Sequence, residues 1–90
     1  MYKCIESGIG GKGLNFSDLL KIKHQAENLG LVGSVFFKED GSIKVIAEGA
    51  DDSLKEFAKE LKPGHFFSTI ENFYIIWSES NTKYTEFSIN

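Results

Sequence analysis

Leu31-Val32-Gly33-Ser34-Val35-Phe36-Phe37-Lys38-Glu39-Asp40-Gly41-Ser42-Ile43-Lys44-Val45-Ile46-Ala47-Glu48 decides the fold. Leu31 to Lys38 is rich in Val and Phe and reads as a strand. Glu39-Asp40-Gly41-Ser42 reads as a hairpin turn, because Asp-Gly supplies the left-handed geometry of a tight connection. Ile43 to Glu48 is the partner strand. Its Ile43, Val45 and Ala47 alternate with Lys44, Ile46 and Glu48, the period-2 pattern of a sheet with one buried face. Gly49 is expected to end it.

A helical pattern lies on each side of this hairpin. Upstream, Phe16, Leu19, Leu20, Ala26 and Leu29 recur at helical spacing, with Lys21, Gln25 and Glu27 outward. Asn15 or Ser17 can cap this helix, and Asn15-Phe16-Ser17-Asp18 has capping-box spacing with aspartate in the third position. Gly30 is a natural stop. Downstream, Leu54, Phe57, Ala58 and Leu61 fall at i, i+3, i+4 and i+7, one face of a second helix. Asp51 or Asp52 is expected to cap it, Pro63-Gly64 to end it, and Lys55 to pair with neighbours such as Glu56 across turns.

Strands flank the helices in turn. Tyr2 to Glu6 reads as a short first strand, and Ser7 to Gly13, with Gly8, Gly10, Gly11 and Gly13, as a glycine-rich loop. Thr69 to Ser78 is the fourth strand. Phe73, Ile75 and Trp77 take one face and Tyr74 and Ile76 the other, which predicts a core strand covered in part on both sides. Ser80-Asn81-Thr82 reads as a turn and Tyr84 to Ile89 as a last short strand. The order β-α-β-β-α-β is the split βαβ, ferredoxin-like α+β plan. It predicts an antiparallel sheet with two helices on one face and a short extra C-terminal strand. The length predicts a single domain over 1–90.

The charged residues narrow the partners. Ten lysines face thirteen acidic residues, a net charge of −3, and the chain has no arginine. That balance lacks the electrostatic footprint of a nucleic-acid binder. The run Phe73-Tyr74-Ile75-Ile76-Trp77 is far short of the ~20 residues that cross a bilayer. One cysteine, Cys4, forms no internal disulfide and points to a reducing, cytoplasmic setting. It reads as a strand packing residue. His24 and His65 have no ligand partners at metal spacing, so neither a metal nor a cofactor is expected. Glu6 and Glu48 can meet as a carboxylate pair across the sheet. Lys12 is followed by Gly13 rather than Ser or Thr, which argues against a nucleotide P-loop.

From Ala26 to Ile89 the chain resembles the acylphosphatases. Ala26-Glu27-Asn28-Leu29-Gly30-Leu31-Val32-Gly33-Ser34-Val35, Asp40-Gly41-Ser42-Ile43, Ala47-Glu48-Gly49 with Leu54 and Phe57, Lys62-Pro63-Gly64, Ile70 and Phe87-Ser88-Ile89 carry the likeness in colinear order. The resemblance implies the ferredoxin-like fold and hydrolysis of carboxyl-phosphate anhydrides. It implies a glycine-containing loop whose N–H groups cradle the phosphoryl oxygens, a Phe-Arg at the start of the first helix, and an asparagine on the second strand that positions water. Here the arginine position falls on Leu19, or near Ser17 if the gap is shifted, and the asparagine position falls on Phe37. Only Gly11-Lys12 is similar to the Gly-Arg that opens the family loop.

The expectation is therefore an acylphosphatase-like binding or interaction module without the catalytic pair. Gly10, Gly11, Lys12, Gly13, Leu14 and Asn15 are the candidate anion-binding residues, because successive amides before a helix form a cradle for phosphate or another small anion. Leu19 and Phe37 are expected to close the old pocket by apolar packing, or to line a more apolar cleft. Phe66 and Phe67, adjacent aromatics in a loop, and a sheet edge are the candidate contacts for a protein partner. The alternative is weak or altered hydrolysis through the glycine-rich loop and Lys12, which binds phosphate as a point charge without arginine's fork.

Overall fold

The computed structural model describes residues 2–62, 70–79 and 84–90. The elements are β1 (Tyr2–Gly11), α1 (Phe16–Asn28), β2 (Val32–Phe37), β3 (Ile43–Ala50), α2 (Asp51–Leu61), β4 (Ile70–Glu79) and β5 (Phe87–Ile89). They build one sheet in the order β4-β1-β3-β2-β5. β1 is antiparallel to β3 and β4, and β2 is antiparallel to β3. This is the expected ferredoxin-like plan. The extra strand β5 adds to β2 in parallel, so the sheet is mixed rather than wholly antiparallel. β4 runs opposite to β1 and hence to β2, so a chain that reverses after β4 travels in the direction of β2.

The central layer is set by side-chain alternation. Ile5 and Ile9 of β1, Val35 of β2, and Ile43, Val45 and Ala47 of β3 are fully buried on one face. Leu19, Ile22 and Ala26 of α1 and Leu54, Phe57, Ala58 and Leu61 of α2 cover them. Burying each of the larger of these side chains is worth about 1.5–3 kcal/mol. The α2 stripe is the one its spacing predicts. On α1 the buried stripe is Leu19, Ile22 and Ala26, with Leu29 half-buried, while Phe16 and Leu20 are exposed. The 100° step of the helix carries Phe16 and Leu20 off the sheet side.

The hairpin forms as its Asp-Gly predicts. Gly41 has φ +86°, and the Lys38 N–H donates to the Ser42 carbonyl at 2.7 Å. The Asp40 carboxylate accepts from the Ser42 N–H and hydroxyl at 2.9 and 2.6 Å. Those two bonds hold its carboxyl below the usual aspartate range.

Several boundaries differ from the sequence reading. β1 runs through Gly8 and Gly10 to Gly11 instead of ending at Glu6, because β3 pairs with it as far as Ile9 and β4 as far as Gly11. β3 continues through Gly49 to Ala50 because Lys3 and Tyr2 of β1 pair with them. The N-cap of α2 is Ala50, with no side-chain cap bond, and Asp51 and Asp52 lie inside its first turn. There they complement the helix dipole. Lys55 pairs with Asp51 at 3.1 Å rather than with a neighbour such as Glu56. β5 spans three residues, not Tyr84 to Ile89. β4 is an edge strand and not a strand covered on both sides. Phe73 and Ile75 pack on the core, but Tyr74, Ile76 and Trp77 are exposed. The expected stop at Pro63-Gly64 and turn at Ser80-Asn81-Thr82 lie outside the described residues.

Gly33 has the tightest backbone constraint. Its φ is +148°, and a Cβ there would lie 1.9 Å from the Ile46 carbonyl oxygen. Gly13, at φ +75°, would meet nothing within 4 Å. Gly33→Ala is expected to lose at least ~3 kcal/mol of stability. Gly13→Ala is expected to lose about 1–2 kcal/mol. Urea unfolding of both variants checks the contrast.

Candidate functional site

The chain from Gly11 to Phe16 is the segment where the family loop would lie. Its first residues are already strand. Gly8 pairs with Lys44 and Tyr74, and Gly10 with Asn72, so the expected Ser7–Gly13 loop contracts to the few residues between β1 and α1. Of the candidate anion-binding residues, Gly10 and Gly11 are the end of β1, Lys12 and Gly13 form a turn, and Leu14 and Asn15 lead into α1. Lys12 and Gly13 are exposed, and Leu14 packs on the core.

The amino end of α1 is closed by its own side chains. Asn15 Oδ1 accepts from the Ser17 N–H at 2.9 Å and from the Ser17 hydroxyl. Asp18 Oδ2 accepts from the Asn15 N–H at 2.8 Å. This is the predicted capping box, with Asp18 in the third position. The Asp18 carboxylate therefore already takes the Asn15 N–H at the positive dipole end of the helix.

The two positions that the likeness assigns to arginine and asparagine go separate ways. Leu19 is 2% exposed and lies in the core. Phe37 is 37% exposed at the end of β2 and, with Phe36 and Lys38 to Asp40, lines a shallow hollow. Leu19 packs in the core, while Phe37 is exposed and lines the hollow. Ser17, the shifted arginine position, is exposed and spent on the cap.

An open cleft of ≈ 390 Å³ lies at the same end of the sheet, missed by sequence reasoning. Gly8 to Gly11 form one wall, Lys38 and Asp40 to Ser42 another, and Glu71, Asn72 and Tyr74 the third. Gly8 is its signal. A Cβ on Gly8 would lie 2.1 Å from Tyr74 Cε2, so the tyrosine ring lies across the bare backbone. The Tyr74 hydroxyl donates to Glu6 Oε2 at 3.4 Å, and Lys44 Nζ stands 3.4 Å from the same oxygen. Glu6 thus meets Lys44 and Tyr74, while Glu48 is buried opposite Cys4. The two carboxylates flank Cys4 on its strand and the next.

Cys4 is buried, and its thiol is pushed up chiefly by desolvation, partly offset by a hydrogen bond with Ser78 and added to by Glu48 and Glu6. His24 is exposed on α1. His65, Phe66 and Phe67 lie outside the described residues. Among the described residues no three His, Cys, Asp or Glu side chains converge as a metal site requires. No described helix is long and apolar enough to cross a membrane.

The acylphosphatase family model matches residues 12–89. The chain belongs to the acylphosphatase family. An acylphosphatase of Dehalococcoides mccartyi is 36% identical over 96% of this chain and 96% of its own length. One of Caldanaerobacter subterraneus is 32% identical over 94% and 90%. The crystal structure of the Bacillus subtilis acylphosphatase superposes with a TM-score of 0.85 at 24% identity, covering 100% of this chain and 99% of that one. The acylphosphatase framework is therefore shared from end to end, while the arginine of the family signature has no counterpart in this sequence.

Two outcomes follow from this geometry. Asn15→Ala should cost about 1 kcal/mol through loss of the cap, read as a shift in urea midpoint with an unchanged slope. Cys4 has a folded-state pKa above the ordinary thiol value of 9.0. Its contribution to stability is therefore fully present below pH 9 and is lost as pH rises through the higher folded value, since the unfolded chain ionises first. Native protein at pH 8 should resist thiol labelling that urea-unfolded protein accepts, which absorbance of a disulfide reagent measures.

Proposed function

We propose that this chain is an acylphosphatase-fold binding module that does not turn over acyl phosphates. The observation that carries this reading is the occupied amino end of α1. Asn15 Oδ1 accepts from the Ser17 N–H and Asp18 Oδ2 from the Asn15 N–H, in a chain with no guanidinium to counter the added negative charge. A phosphoryl group there would meet the Asp18 carboxylate, and neither Leu19 nor Ser17, the two positions the likeness offers for arginine, carries a charge to offset it.

The size of the loss is large. Removing one preorganised donor to a developing charge costs about 10²–10³ in rate. Here both signature side chains are replaced, one by a core leucine and one by an exposed phenylalanine. Such losses are not additive, but the second does not restore the first. Lys12 is the cation within the loop itself, exposed and in no ion pair among the described residues. A point charge on a flexible stem does not replace a planar fork.

Acetyl phosphate and benzoyl phosphate hydrolysis test the reading. The expected rate is that of the buffer alone. Turnover above it that disappears in Lys12→Ala would overturn the proposal in favour of a lysine-assisted hydrolase.

A further inference from the structure

The sheet has two very different edges. At one end β5 is three residues long. At the other, β4 is ten residues long and, among the described residues, pairs only with β1, so no described strand covers its outer edge. α1 packs over β2 and β5, α2 over β3 and β1, and β4 packs chiefly against β1. Its Tyr74, Ile76 and Trp77 are 40%, 55% and 42% exposed. A long apolar edge of this kind is a template for another strand.

The charges on β4 restrict what that strand can be. β4 carries Glu71 and Glu79 and no lysine. Both glutamates are exposed, and neither joins an ion pair among the described residues, although Lys3 opposes Glu79 across the ladder. The register shifts between Gly10 and Gly11, from Asn72 to Ile70, so Glu71 has no partner on β1.

Consider β4 pairing with a second β4 about a two-fold axis normal to the sheet. Opposed residues must share a face, so their numbers sum to an even value. The sum 150 sets Ile75 on Ile75, Tyr74 on Ile76 and Phe73 on Trp77, matching every central apolar residue with another. It also sets Glu79 against Glu71 at both ends. Shifting the sum to 148 or 152 relieves that clash but puts Trp77 against Glu71, or Phe73 against Glu79. The carboxylates therefore act against self-pairing, as charged groups on natural edges do.

A cationic partner inverts this balance. We propose that the β4 edge binds an extended peptide segment with alternating apolar residues and a lysine or arginine at each end, about 26 Å apart, to face Glu71 and Glu79. Main-chain hydrogen bonds to the free edge supply the affinity, and the two end charges supply the selectivity. This deepens the reading of the chain as a binding module and rests on it. The two are separable, since peptide binding and acyl-phosphate turnover are read in different assays.

The test uses an acetylated, amidated nonapeptide, Lys-Thr-Val-Thr-Val-Thr-Val-Thr-Lys, and the same peptide with Glu at both ends. Isotope-labelled protein is titrated with each and followed by backbone amide NMR. The lysine peptide is expected to bind about tenfold more tightly than the glutamate peptide, two opposite-charge pairs making the difference. Shifts should concentrate on Asn72 to Glu79, and the preference should shrink with salt. The Glu71→Lys, Glu79→Lys double variant changes only exposed side chains and should prefer the glutamate peptide. Equal affinities, shifts centred elsewhere, or no binding at millimolar peptide would overturn the proposal. So would β4 shifts that depend on protein concentration alone, which would assign the edge to a second copy.

Discussion

The contact between the helices and the sheet's buried face governs the rest of the molecule. Ile5, Ile9, Val35, Ile43, Val45 and Ala47 point to one side, and Phe57, Leu54, Leu61, Leu19 and Ile22 meet them there. Because strand side chains alternate, a slip of one residue in any strand would turn its apolar set to the other face. The layer therefore fixes the register of β1, β2 and β3 together. Phe57 sits in this layer, and its ring meets Phe87 of β5 edge-on at 6.4 Å between centroids. One helix thereby anchors the strand that closes the far edge of the sheet.

Local chemistry makes part of this legible in the sequence. The Asp40-Gly41 turn, the Asn15 to Asp18 capping box, the Gly30 stop and the α2 stripe are all decided within a few residues, and all form as read. The glycines of β1 are decided by distant residues. Gly8 and Gly10 weaken a strand on local grounds, yet β3 and β4 both pair with Gly8 and β4 pairs with Gly10. Gly49 is likewise held in β3 by its pairing with Lys3 of β1. Conversely, the run from Phe73 to Trp77 reads as core because it is apolar, but its place at the edge of the sheet follows from topology. Neither outcome is written in the neighbourhood of the residues concerned.

The candidate site divides along the same line. That no arginine exists, and that the asparagine position falls on Phe37, are properties of the sequence itself. Where those positions point is not. Leu19 turns inward because α1 presents its 19, 22, 26 stripe to the sheet, and Phe37, the last residue of β2, stays exposed. The cleft beside Tyr74 arises from a pairing of residues 66 apart, Gly8 with Tyr74, whose ring needs the missing Cβ. A glycine in a strand can signal such a close approach, but its partner is named only by the ladder.

Closing one surface and leaving another open are linked through β1. Its glycine-rich end takes part in the ladder rather than looping out, which extends β4 as an antiparallel partner up to Ile70. Chain spent in the ladder leaves only Lys12, Gly13 and Leu14 between the end of β1 and the Asn15 cap of α1. The same pairing runs along β4, whose ten residues form one edge of the sheet among the described strands. A strand of that length presents its apolar centre between two carboxylates, Glu71 and Glu79, so the pairing that shortens the β1–α1 connection also spaces those charges along the edge.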